Sequence, residues 1–341
     1  MRVILSMNKI AIRADGGNNI GMGHIMRCMA IAKELLERNI KVFFVSKFCK
    51  EVNDIFINQD IKFINIYSDN LDGEILEIEK IIKDNNIDCI ITDSYNLSND
   101  YLFKLKQYIK LLISIDDNSL YNYPSDVIIN GNIYANDLDY KLIDKDTKLL
   151  LGSQYCILRN EFRKNFNFRV KEKVENILVT MGGSDINNFT PFVLETIKEL
   201  NININVIIGK SFECTNEIQE ISKKHDNINL IYNSNNISEI MKNNDIAISA
   251  SGSTAYELCK VGVPAILIVQ AENQENIACE FDKKGIMINM GYFSDLRKDK
   301  LLEKVNFLID NKEARYKMNN LSKNVIPDDG VKNIVDSILN Y

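Results

Sequence analysis

The 341-residue chain reads as α/β, with two doubly wound Rossmann-like domains in series. Three observations predict this. Short runs rich in Ile, Val and Leu alternate with amphipathic runs of helical period, the pattern of parallel strands covered on both faces. The alternation breaks at a charged, irregular stretch and then restarts. The length suits two cores of ordinary size better than one. The expected domains are 1–155 and 170–341, with a linker at about 152–173.

The first half opens on the strand KIAIRAD (9–15). IMRCMAIAKELLER follows as a helix, with Ile25, Met29, Ala32 and Leu36 on one face. KVFFVS is a strand, ILEIEKIIKDNN a helix and IDCIITD a strand. YLFKLKQYI is a helix leading to the strands KLLISIDD and DVIIN. GSQYCILRNEFRKNFNFRVKEK is the linker. The second half runs from ENILVTMGGSD (strand and glycine turn) through the helix NFTPFVLETIKEL. The strands INVIIG, INLIY, DIAISAS, PAILIV and GIMINM follow, with helices between. In such sheets ligands bind beyond the carboxyl ends of the strands, and two such domains are expected to face a cleft.

Composition narrows the function classes. The net charge of −6 and the pI near 5.3 argue against a nucleic-acid partner or binding to an anionic membrane surface. No apolar run approaches the ~18 residues of a membrane span, and MRVILS is too short for a signal-peptide core. Seven cysteines without a C-x-x-C pair suggest reduced thiols and a cytoplasmic protein. With two histidines and no Cys/His cluster, neither a metal nor another cofactor is expected.

The candidate site residues stand just after strands. The loop DGGNNIGMGH follows the first strand and carries His24, one of the two histidines. It is not a dinucleotide fingerprint, because the third glycine would fall on Met26, and it lacks the G-K-[ST] ending of a P-loop. His24 can serve as a general base or simply pack at a helix start. Gly21, Gly23 and Arg27 of the same stretch are expected on the substrate. Asp15, at the end of the strand, is expected to orient His24 or touch the substrate. Gly182 and Gly183 in MGGSD present backbone amides to an anion, or form a plain turn. In SASGSTAYELCKVGVP a small-residue turn leads to a helix near Ser253, suited to a diphosphate. Glu257, one turn into that helix, can accept two hydrogen bonds from a ribose diol. Asn273 and Gln274 offer amides after the next strand. Asp93, Ser94 and Tyr95 end one first-half strand, and Asp116 and Asp117 end another, as an acid pair or a turn cap. Arg159 lies in the linker.

RADGGNNIGMGHIMR, ITDSY, SIDD, INGNIYA, YCILRNEF, MGGSD and AENQE occur here in an order that resembles the PseG family. Those are UDP-2,4-diacetamido-2,4,6-trideoxy-β-L-altropyranose hydrolases of pseudaminic acid biosynthesis, a pathway of flagellin glycosylation and surface polysaccharide. The family is similar to GT-B glycosyltransferases such as MurG. The resemblance runs from about 10 to 290 and implies a GT-B-like fold and a UDP-linked amino sugar as substrate. It implies that His24 activates water, Glu257 holds the UDP ribose, Arg159 binds substrate, and Tyr95 and Asn273 line the sugar site. The turn ASGSTAYELC departs from the hydrolase form toward the general glycosyltransferase pattern. A GT-B sugar transferase and a non-catalytic nucleotide-sugar-binding protein are the alternatives.

Overall fold

A computed structural model of the chain describes residues 7–17, 22–57, 59–209, 211–232, 234 and 236–341. It divides into two compact units: Met1–Arg159 with Asp329–Tyr341, and Asn160–Asp328.

The first unit is built on a seven-stranded parallel sheet. In chain order its elements are β1 (Lys9–Ala14), α1 (Gly23–Glu37), β2 (Lys41–Lys47), α2 (Lys50–Phe56), β3 (Lys62–Ile66), α3 (Leu71–Asn85), β4 (Cys89–Asp93), α4 (Asn99–Lys106) and β5 (Leu111–Ile115). A two-residue pair, β6 (Asn122–Tyr123) and β8 (Lys141–Leu142), flanks β7 (Val127–Asn130), and β9 (Lys148–Leu151) closes the set. The sheet order is β3-β2-β1-β4-β5-β7-β9. The inner strands carry β-branched residues on both faces, and the two faces bury separate cores. Ile10, Ile12 and Ala14 of β1 pack with α1 and α2, whereas Ala11 packs with α3 and α4.

The second unit repeats the plan. Its strands are β10 (Asn176–Thr180), β11 (Asn203–Ile208), β12 (Ile228–Tyr232), β13 (Ile246–Ala250), β14 (Ala265–Val269) and β15 (Ile288–Tyr292), in the order β12-β11-β10-β13-β14-β15. Between and after them come α5 (Thr190–Ile197), α6 (Asn216–Lys224), α7 (Ile237–Lys242), α8 (Ser253–Val261), α9 (Glu275–Lys283), α10 (Lys298–Asp310) and α11 (Lys312–Ser322). Both sheets change winding direction beside their first strand, the arrangement that leaves a ligand crevice at the carboxyl edge.

The last helix, α12 (Gly330–Leu339), departs from the expected domain limits. The sequence places it in the second half, but it packs in the first unit. Val331, Ile334, Val335 and Ile338 are fully buried in the core that holds α1. Asn333 donates to the Gln154 carbonyl and Arg38 pairs with Asp336. Gly330 makes the docking possible: a Cβ there would stand 2.3 Å from the Cys156 carbonyl oxygen. Four apolar residues buried at helical spacing contribute about 1.5–3 kcal/mol each, which outweighs continuity of the chain.

Candidate active site

The winding change in the first sheet lies between β1 and β4, where Ala14 pairs with Asp93. The chain leaves β1, passes the glycine loop and enters α1, whose second residue is His24. Gly21 lies outside the described residues. Gly23 opens the helix, with nothing among the described residues within 4 Å of where a Cβ would stand. His24 is buried, and its Nδ1 lies 2.7 Å from Asp93 Oδ1. Asp93 is fully buried at the end of β4 and gathers further donors. Arg27, one helical turn beyond His24, donates from Nε to Oδ2 and from Nη2 to Oδ1, each at 2.6 Å. The Cys28 thiol donates to Oδ2 at 3.3 Å.

Burial alone would raise the Asp93 pKa. The charges of Arg27 and His24 reverse that and hold the carboxyl well below the usual carboxylate range. Burial, with the Asp93 charge adding to it, pushes the Cys28 thiol far up, so it stays a neutral donor. His24 Nδ1 and Arg27 Nη2 are 3.2 Å apart because both aim at the same Asp93 oxygen. The consistent tautomer carries the proton on Nδ1 and leaves the lone pair on Nε2.

A second carboxylate backs this cluster from the loop after β5. Arg27 Nη1 lies 3.0 Å from both oxygens of Asp117. Tyr95 donates to Asp117 at 2.5 Å and Asn132 at 2.8 Å. The Tyr95 ring meets the His24 imidazole edge-on, with centroids 4.6 Å apart. Asp116 is occupied separately, by the hydroxyls of Tyr123 and Tyr140 and by the Ser119 amide. The adjacent acids therefore do not converge. Among the described residues no group of three His, Cys, Asp or Glu side chains is arranged to hold a metal ion.

Asp15 requires a correction. The sequence leaves it to orient His24 or to touch the substrate; it does not orient His24, but pairs with Arg13 at 2.6 Å and accepts the Lys47 amide. Arg13 in turn donates to Glu74, which also receives the Tyr101 hydroxyl. A side chain at the end of β1 reaches β2 and α3 more easily than the helix beyond the loop. Asp93 takes the role instead, from the strand beside β1. Arg27 makes its bonds to Asp93 and Asp117, protein groups that the sequence reading did not assign to it. Arg159 is half-buried and ends the first segment of its unit.

In the second unit, three loops meet at the carboxyl edge of β10, β13 and β14. Gly182 turns at φ +77°, and neither it nor Gly183 has anything within 4 Å of the place where a Cβ would stand. Asp185 ties off that loop by accepting the Phe189 and Thr190 amides. Asn187 bridges to Gln270 through the backbone and side-chain oxygens. Gly252 and Ser253 begin α8 without a side-chain cap, and the Ala255 amide returns to the Gly252 carbonyl at 3.0 Å. Glu257 is buried, 5% exposed, rather than a solvated helix side chain. Gln274 accepts the Gln270 amide at 3.1 Å and stands 3.5 Å from the Ser251 hydroxyl. Asn273 is exposed on the 3₁₀ turn Glu272–Gln274.

The comparisons agree with this architecture. A model of the glycosyltransferase family 28 C-terminal domain matches residues 176–334. An uncharacterised protein of Methanocaldococcus jannaschii is 33% identical over 305 residues, 84% of this chain and 62% of that protein's length. The UDP-2,4-diacetamido-2,4,6-trideoxy-beta-L-altropyranose hydrolase of Campylobacter jejuni is 29% identical over 290 residues, 83% of this chain and 100% of that enzyme. MurG of Acinetobacter baumannii matches with a TM-score of 0.71 at 13% identity, across 98% of this chain and 100% of that one. The fold is GT-B-like, as in MurG, and the resemblance to PseG drawn from the motifs extends over 83% of the chain. No helix among the described residues is long and apolar enough to cross a membrane.

Proposed function

We propose that this protein is an enzyme acting on UDP-linked sugars, and that its reaction is hydrolysis of a UDP-2,4-diacetamido-2,4,6-trideoxy sugar at the anomeric carbon. One observation carries the reading. A buried imidazole at the winding change of the first sheet has its Nδ1 fixed on a buried carboxylate. This is how a histidine is oriented to take a proton at Nε2. The relationship to the Campylobacter hydrolase supplies the substrate class.

In the proposed reaction His24 Nε2 removes a proton from water, and the oxygen attacks the anomeric carbon. The bond from that carbon to the diphosphate oxygen breaks, and its electron pair leaves with UDP. Asp93 stabilises the imidazolium, which returns its proton to solvent. The glycine turn at Gly182 and Gly183, where a Cβ would meet nothing within 4 Å, and the α8 N-terminus receive the diphosphate, where the helix dipole favours negative charge. Glu257 takes the ribose hydroxyls. Tyr95, Arg159, Asn273 and Gln274 are assigned to the sugar.

The family 28 domain and the MurG-like fold favour a second reading, a transferase in which His24 activates an acceptor hydroxyl. UDP release from UDP-diacetamido sugars, followed by NMR without any acceptor, tests the first against the second. Rapid release supports hydrolysis, and release that waits for an acceptor supports transfer.

The Glu257 role has its own expected result. Glu257→Ala weakens UDP binding by about 1.5–3 kcal/mol, the worth of hydrogen bonds to a charged group, with a smaller effect on the chemical step. Calorimetry with UDP measures it, and unchanged affinity removes Glu257 from the ribose.

A further inference from the structure

Arg27 poses an electrostatic difficulty for a base at His24. Its Nη2 stands 3.2 Å from His24 Nδ1, and a guanidinium so close opposes the imidazolium formed on proton transfer. Asp93 is a single negative charge shared between the two cations. Among the described residues, the charged and titratable groups around His24 come from three elements and their loops. Arg27 and Cys28 stand on α1, Asp93 ends β4, Tyr95 follows β4, and Asp117 follows β5. Tyr134 adds a hydroxyl donated to the Asp117 backbone. Of these, only Asp93, Asp117 and Arg27 carry formal charge. Two negative and one positive leave the cluster at one net negative charge before proton transfer and at zero after it.

We infer that Asp117 is a positioning residue that sets how readily His24 accepts a proton, by neutralising Arg27 and holding it on Asp93. Its bonds fit that task. Asn132 and Tyr95 fix the carboxylate, and Tyr95 carries its ring on to the edge of the imidazole. Without Asp117, Arg27 draws on Asp93 alone, and the imidazolium loses its share of that charge. The inference rests on the proposed role of His24 as base, but it can be tested without a substrate.

The chain has only two histidines, His24 and His225, so a pH titration of the labelled imidazoles by NMR is readily assigned with a His225→Gln control. Asp117→Asn is expected to move the His24 midpoint down, and Asp117→Glu to restore it. Arg27→Gln is expected to move the midpoint up, and it decides the matter if Asp117→Asn does not fold. A midpoint in Asp117→Asn equal to or above that of the wild type overturns the inference, as does an Arg27→Gln midpoint that fails to rise. In turnover, the acid limb of kcat/KM follows the same downward shift in Asp117→Asn. There kcat falls about 10- to 100-fold, the range for outer partners of a functional histidine, while KM stays put. A wild-type protein inert toward UDP-diacetamido sugars defeats the hydrolase reading and leaves the titration result standing.

Discussion

His24→Asn is expected to lower turnover by roughly 10²–10⁴-fold, the contribution of a positioned general base, while UDP affinity stays close to that of the wild type. The substitution is chosen for its geometry. The asparagine amide can donate to Asp93 where the imidazole Nδ1–H donates, so the buried acceptor keeps a partner. What disappears is the lone pair at Nε2. Rates of UDP release and calorimetry with UDP measure the two effects separately. Near-normal turnover would remove His24 as the base, whereas a parallel loss of rate and affinity would point to a binding role.

Asp93→Asn should be nearly as damaging, for a different reason. The neutral amide can present its NH₂ or its oxygen to His24, so the Nδ1–H tautomer is no longer enforced. Turnover is expected to fall roughly 10²–10⁴-fold. The change also leaves the Arg27 guanidinium, 22% exposed, short of charge, where loss of one partner of a fully buried pair costs about 3–5 kcal/mol. Asp117 still pairs with Arg27, which argues for the lower end of that range.

The pH dependence follows from the lowered Asp93 pKa. A carboxylate held below its unfolded value stabilises the fold fully above that value, near ~4, and the stabilisation is lost as pH falls through the native one. The part of the stability gap between wild type and Asp93→Asn that comes from this carboxylate therefore closes as pH falls below about 4. Urea unfolding at a series of pH values reads the gap, and a gap that stays fully open well below pH 4 contradicts the ion-pair account.

Much of this site can be read from the chain, and what cannot be read has physical causes. The strands IDCIITD, KLLISIDD and DIAISAS announce themselves because inner parallel strands are apolar on both faces. The sequence reading passed over β3 and β9, the two edges of the first sheet, which carry Lys62, Asn65 and Lys148 and lack that signal. The restart of the pattern near residue 175 marks the second unit, but the return of α12 to the first is not written locally. Its amphipathic face says only that it must be buried, not against which core. His24 stands out by its loop. Its partner does not, because choosing Asp93 over Asp15 requires knowing that β4 lies beside β1 in the sheet. Strand order is a property of the whole fold. Asp116 and Asp117 look alike in sequence, and only the course of the loop after β5 sends them to different partners, Asp116 to Tyr123 and Tyr140 and Asp117 to Arg27 and Tyr95.

The central claim, that water activated by His24 attacks the anomeric carbon, is tested most directly by turnover of a UDP-2,4-diacetamido-2,4,6-trideoxy sugar in ¹⁸O-labelled water, with mass spectrometry of both products. The account predicts label in the free sugar and none in UDP, because the bond broken is the one between carbon and oxygen. Label in UDP would mean attack at phosphorus and would contradict the mechanism.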